Sequence, residues 1–166
     1  MRRKFKNVLV TGGAGYIGSL LVDFLLRSGF KVTVLDSLLF GGNSLIPFFS
    51  QKNFELIKAD IRDISDVKRS VRNKDLIIHL AAIVGFPACR KYPELSQDIN
   101  VNGTENIINS IKGTIPILFA STGSVYGEVK QKIITEDAKL DPISEYGAQK
   151  KEAEEAVSKN KKFIIY

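Results

Sequence analysis

Six short runs of aliphatic and β-branched residues, at 7–11, 31–35, 54–58, 76–80, 115–120 and 163–166, punctuate the chain. Between them lie polar turns or stretches in which apolar positions recur at helical spacing, an alternation typical of βαβ units. Because the runs are apolar at nearly every position, the strands are expected to be buried on both faces, in a parallel sheet sandwiched by helices. Ile17, Leu20, Leu21, Phe24 and Leu25 share one face of a first helix, which Gly29 ends. A shorter helix around Ile64, Val67 and Val71 follows Asp63, a long one covers 95–111, and the last spans 144–158 with Pro142 near its start. No repeat, linker or low-complexity segment divides the chain. It reads as one α/β unit, a doubly wound parallel sheet with helices on both faces.

Composition changes this picture little. The 166 residues, 44% hydrophobic and 25% charged, suffice for one domain with a substantial core. No apolar run approaches the ~20 residues of a membrane-spanning helix, and the chain opens on Met1-Arg2-Arg3-Lys4 without a signal-peptide core. The expectation is a cytoplasmic protein with no membrane partner. A single cysteine, Cys89, rules out an internal disulfide and offers no cysteine cluster for a metal, so no metal site is expected. Cys89 reads as a small buried or loop residue. The net charge of +6 is scattered, apart from runs at 2–6 and 159–162, which indicates a solvated surface rather than a nucleic-acid partner.

The strongest local signal is Thr11-Gly12-Gly13-Ala14-Gly15-Tyr16-Ile17-Gly18, directly after the first strand and before the first helix. Glycine there permits a tight turn and lets the backbone approach a pyrophosphate, to which the helix N-terminus offers free N–H groups and partial positive charge. Asp36 ends the second strand, where a carboxylate accepts hydrogen bonds from the adenosine ribose and repels a 2′-phosphate. No arginine follows in Ser37-Leu38-Leu39-Phe40, so NAD is favoured over NADP.

Tyr146 and Lys150, four residues apart, fall on one face of the last helix. A phenol of ordinary pKa is a poor base at neutral pH, and a nearby ammonium, with a positive nicotinamide, favours its ionised form. Upstream, Ala120-Ser121-Thr122-Gly123-Ser124-Val125-Tyr126-Gly127 follows the fifth strand.

The Gly12-x-x-Gly15-x-x-Gly18 spacing resembles the short-chain dehydrogenase/reductase superfamily. With the 120–127 loop and the Tyr146/Lys150 pair, the chain resembles its extended members, the NAD-dependent epimerase/dehydratase family. The resemblance implies a Rossmann-type fold and a nucleotide-sugar substrate. It implies cofactor contacts from Gly12, Gly15, Tyr16, Ile17, Gly18 and Asp36, from Asp60-Ile61 at the adenine, from Leu80-Ala81-Ala82 after the fourth strand, and from Tyr146 and Lys150. The catalytic set it implies is Thr122, Tyr146 and Lys150, with Ser124 as a second candidate hydroxyl and Ser121 a further neighbour of the sugar. His79 and Asn100 take structural roles. Gly123-Ser124 stand where 4,6-dehydratases carry an Asp-Glu pair, which favours epimerase chemistry, with keto-sugar reduction or a non-catalytic NAD-binding module as alternatives. The segment 82–89 looks like a subgroup of nucleoside-diphosphate-sugar epimerases. The two long helices at 95–111 and 144–158 correspond to those that often build a homodimer. The resemblance also makes 1–166 the NAD-binding domain, truncated before the substrate domain. A fragment, a split gene product and a natural short protein are the three readings of that truncation.

Overall fold

The computed structural model describes residues 5–128 and 133–166, so most of the basic run at 2–6 lies outside the described residues. Its framework is a six-stranded sheet of order β3-β2-β1-β4-β5-β6, parallel throughout. The strands are β1 (Asn7–Thr11), β2 (Lys31–Asp36), β3 (Phe54–Lys58), β4 (Leu76–His79), β5 (Ile117–Phe119) and β6 (Phe163–Ile165). Each apolar run makes a strand, but β4, β5 and β6 are shorter than their runs. Pro116, with no N–H to give the ladder, marks where β5 begins.

Alternate residues of the strands feed two cores. Leu9, Leu35, Ile77, Ile117 and Phe119 face α2 (Ile64–Ser70), α5 (Gly103–Ser110) and α6 (Glu145–Ser158). Val8, Val10, Val32, Val34 and Ile78 face the other way, under α1 (Tyr16–Arg27) and a 3₁₀ segment, Asn43–Phe48, that the apolar spacing did not foreshadow.

Two expectations are corrected. The first helix does not bury Ile17, Leu20 and Phe24, each at least 64% exposed; Gly18, Val22, Leu25 and Leu26 are buried instead. A Cβ on Gly18 would strike the Gly12 carbonyl oxygen, so Gly18 must lie against the glycine loop. That contact sets the helix rotation, and positions four, seven and eight residues further on follow Gly18 inward.

The long helix expected at 95–111 is broken. It comprises α4 (Pro93–Gln97), a π-helical turn at Asp98–Asn102 and α5, preceded by a separate α3 (Phe86–Lys91). In the π turn the Asn100 side chain bonds to Ile83 and Gln149, and the Thr104 hydroxyl donates to Asn100 O at 2.7 Å. Such side-chain bonds loosen a helical ladder while leaving the apolar periodicity nearly intact.

Candidate active site

The site builds up along the C-terminal edge of the sheet, where strand order reverses between β1 and β4. Gly12 turns with φ +72°, and a Cβ there would lie 2.6 Å from Ala81 N, so the segment after β4 passes directly against the glycine loop. Ala81 N and Leu80 N donate to Thr11, which holds that segment in place. Gly15 caps α1 without a side-chain bond, leaving the opening N–H groups of the helix available to an anion. The side chains of Tyr16 and Ile17 are exposed there.

Asp36 ends β2 as expected. Its carboxylate accepts from Ala14 N (2.9 Å) and from Leu38 N (2.8 Å), tying the glycine loop to the turn after β2. Leu38 holds the left-handed φ of +58° that this turn requires. Ser44, from the unforeseen 3₁₀ segment, braces the same loop by donating to Ala14 O at 2.7 Å.

The Asp60-Ile61 pair divides. Ile61 is buried and lies against Gly103, so its side chain does not line an open surface. Asp60 is held by Arg62 through Nε (3.0 Å) and Nη2 (2.7 Å), and this bond keeps its carboxyl below the usual carboxylate range.

His79 is fully enclosed. It pairs with the Thr11 hydroxyl at 2.6 Å and the Thr104 hydroxyl at 2.9 Å; burial, then the Lys150 charge, push its pKa down to about 3. A neutral imidazole bridging two hydroxyls joins β1, β4 and α5.

Ala120 and the loop behind it lie next to this histidine, Ala120 N donating to His79 O. Thr122 caps a 3₁₀ turn, Gly123–Tyr126, by accepting from Ser124 N at 3.2 Å. Ser144 caps α6 in the same manner, accepting from Gly147 N at 3.1 Å. The two capped elements touch at Gly147: a Cβ there would lie 2.5 Å from Ser124 O. The close approach brings Tyr146 beside the turn that Thr122 caps, near enough for the Thr122 hydroxyl to act on the phenol's pKa.

Lys150, one turn on, is 4% exposed; its Nζ donates to Ala120 O at 2.5 Å and stands 3.8 Å from the centre of the Phe119 ring. Burial lowers its pKa to about 8, against the opposing pull of Glu154. Ser121 donates its hydroxyl to Glu154 of α6.

In the free protein burial is the largest influence on Tyr146 and raises its pKa, Cys89 adds to the rise, and Thr122 offsets part of it. The Lys150 ammonium is directed at a carbonyl and a ring face.

Thus Thr122, Tyr146 and Lys150 meet on the edge that carries the glycine loop and Asp36. Ser96, Gln149, Glu154 and Ser44, which support this edge, carry no spacing signal in the sequence. Only their burial and bonding single them out.

A parallel doubly wound sheet with a glycine loop at the point where strand order reverses is a Rossmann-type fold. The model of the NAD dependent epimerase/dehydratase family matches residues 8–162, and the chain belongs to that family. It is 37% identical over 163 residues to UDP-glucose 4-epimerase 4 of Oryza sativa, covering 90% of this chain and 43% of that protein. Among solved structures, the UDP-Glc/GlcNAc 4-epimerase of Campylobacter jejuni superposes with TM-score 0.88 at 29% identity, covering 96% of this chain and 52% of that one. DesIV, a dTDP-glucose 4,6-dehydratase from Streptomyces venezuelae solved with NAD bound, gives 0.84 at 32% identity, covering 90% and 50%. The chain spans about half the length of the curated relatives it matches. Among the described residues, no helix is long and apolar enough to cross a membrane.

Proposed function

We propose that the chain carries the cofactor-binding and proton-transfer centre of an NAD-dependent nucleotide-sugar epimerase. The observation behind this reading is the packing of α6, which carries the buried Tyr146 and Lys150, against the turn that Thr122 caps, on the edge that holds the glycine loop. The residues suit NAD. Gly12 leaves no room for a side chain against Ala81, the first N–H groups of α1 would meet a pyrophosphate, and the Asp36 carboxylate, held at the end of β2 by Ala14 and Leu38 N–H, would accept from ribose hydroxyls. When bound there, NAD would supply the hydride acceptor and donor for a sugar carbon.

The chain's own residues handle the proton. Tyr146 takes it from the sugar hydroxyl as the carbon-bound hydrogen departs, and gives it back once the keto sugar has turned over in the pocket. Thr122 bonds to the same sugar oxygen and keeps the phenol directed at it. Lys150, one helical turn from Tyr146, would hold the ribose of the cofactor next to the phenol. Gly123-Ser124 place no carboxyl group where an elimination needs one, which favours epimerisation over dehydration.

In this reading residues 1–166 are the cofactor domain, and the grip on the nucleoside diphosphate comes from the part of the relatives' length that the chain does not span. Pairing of two copies through the 95–111 and 144–158 helices belongs to the same proposal. The exposed carboxylates Glu94, Asp98, Glu145 and Glu152 on that surface oppose such pairing at low salt.

Calorimetry with NAD and NADP tests the cofactor half: NAD binds more tightly, and the reverse order removes the reading of Asp36. In a protein carrying both halves, Tyr146→Phe abolishes exchange at the sugar carbon and spares NAD binding. An unaffected rate shows that another group is the base.

A further inference from the structure

We infer that Gln149 is a positioning residue, which locks the Tyr146/Lys150 helix to the segment after β4 and so sets where the nicotinamide end of the cofactor is held. The inference rests on the proposed NAD site. Gln149 lies between the two catalytic candidates on α6 yet points into the core, 6% exposed. Both ends of its amide are used. Its Oε1 accepts from Asn100 Nδ2 at 2.8 Å, and its Nε2 donates to Ser96 Oγ at 2.8 Å.

Each of those partners is buried and anchored in turn. The Ser96 hydroxyl donates to Pro93 O at 2.9 Å. Asn100 clamps both backbone groups of Ile83, accepting from its N–H (2.8 Å) and donating to its carbonyl (3.0 Å), while the Cys89 thiol donates to the same carbonyl. A continuous set of bonds therefore runs from α6, through Asn100 of the π turn, to residue 83. Two residues before it, Ala81 lies against Gly12 of the cofactor loop.

An apolar side chain would fill the Gln149 position without the desolvation that an amide incurs. What the amide adds is direction. Its bonds form only when helix and segment stand in one register, so the network specifies geometry more than it adds stability. The glycine loop and Asp36, which would meet the pyrophosphate and adenosine, share no hydrogen bond with this network and touch its far end only through Ala81. Its influence therefore falls more on the nicotinamide side.

The test uses this polypeptide with Gln149→Leu, Gln149→Glu and Ser96→Ala, reading amide exchange by NMR and binding of NAD and ADP-ribose by calorimetry. Gln149→Leu speeds exchange of the Ile83 amide about tenfold with β1 and α1 amides unchanged, as loss of one buried hydrogen bond implies. It weakens NAD by about fivefold and leaves ADP-ribose, which lacks the nicotinamide, within about twofold. Gln149→Glu keeps an acceptor for Asn100 and restores most of the protection at Ile83. Ser96→Ala, which leaves Gln149 in place, gives a weaker version of the leucine pattern and serves if the leucine variant does not fold. Unchanged exchange at Ile83, or equal weakening of both ligands, overturns the inference. If the unaltered chain binds neither ligand the proposed function falls, and exchange at Ile83 still decides whether Gln149 holds the segment.

Discussion

Lys150 shows what a catalytic candidate does to the fold that holds it. Its ammonium, 4% exposed, has a carbonyl and a ring face for company, and burial brings its pKa from an ordinary 10.5 to about 8. The folded value lies below the unfolded one, so between pH 8 and 10.5 the unfolded chain binds the proton more firmly and stability rises with pH. Below pH 8 the full cost of burying the charge is present. Urea unfolding across this window is expected to move in favour of the native sequence, relative to Lys150→Met, by about 3 kcal/mol. A constant difference from pH 8 to 10.5 would mean that the lysine is not desolvated. The spacing of Tyr146 and Lys150 was legible in the sequence, but the direction of the ammonium was not. Four residues put two side chains on one face, while burial of that face decides which neighbour each meets.

At the scale of elements, α6 is placed by its cap and by one missing side chain. Ser144 satisfies Gly147 N, and replacement by alanine is expected to cost about 1 kcal/mol in thermal or urea unfolding. Gly147 matters differently, because a methyl group there meets Ser124 O at 2.5 Å and Pro142 Cβ at 2.9 Å. Gly147→Ala should cost about 1–3 kcal/mol by pushing α6 off the 3₁₀ turn, and should separate the Tyr146 phenol from Thr122. Its signature is a Tyr146 ionisation, read by ultraviolet absorbance, that shifts further upward as the lowering influence of Thr122 is lost. Stability equal to the parent's would show that the two elements are not in contact. The starts of the second and last helices fell near Asp63 and Ser144 as expected, and the structure makes both residues N-caps, a role that acts on the nearest backbone N–H groups. The rotation of α1 did not follow expectation. Counting apolar positions put Ile17, Leu20 and Phe24 inward, whereas the collision of any Cβ at Gly18 with Gly12 turned the helix the other way.

For the molecule as a whole, the two cores and the all-parallel sheet hold the glycine loop, Asp36 and the Tyr/Lys helix on one edge. A ligand that binds there stabilises the folded state by mass action. With NAD at about 100 times its dissociation constant, the free energy of unfolding should rise by about 2.7 kcal/mol, visible as a higher midpoint in thermal unfolding. No change at saturating NAD would count against the cofactor site. The sequence alone determined the strand count, the parallel class of the sheet, the glycine turn and the Tyr/Lys pair, because these follow from local periodicity and from residue types with one dominant use. Tertiary structure alone decided the rotation of α1, the π turn at Asp98–Asn102, the withdrawal of Ile61 into the core, and the engagement of Lys150 with Ala120. It also assembled Ser96, Asn100 and Gln149, drawn from segments about fifty residues apart, into one buried network. Contacts of that range depend on which surfaces the packed elements bring together, and nothing in the spacing of residues along the chain encodes them.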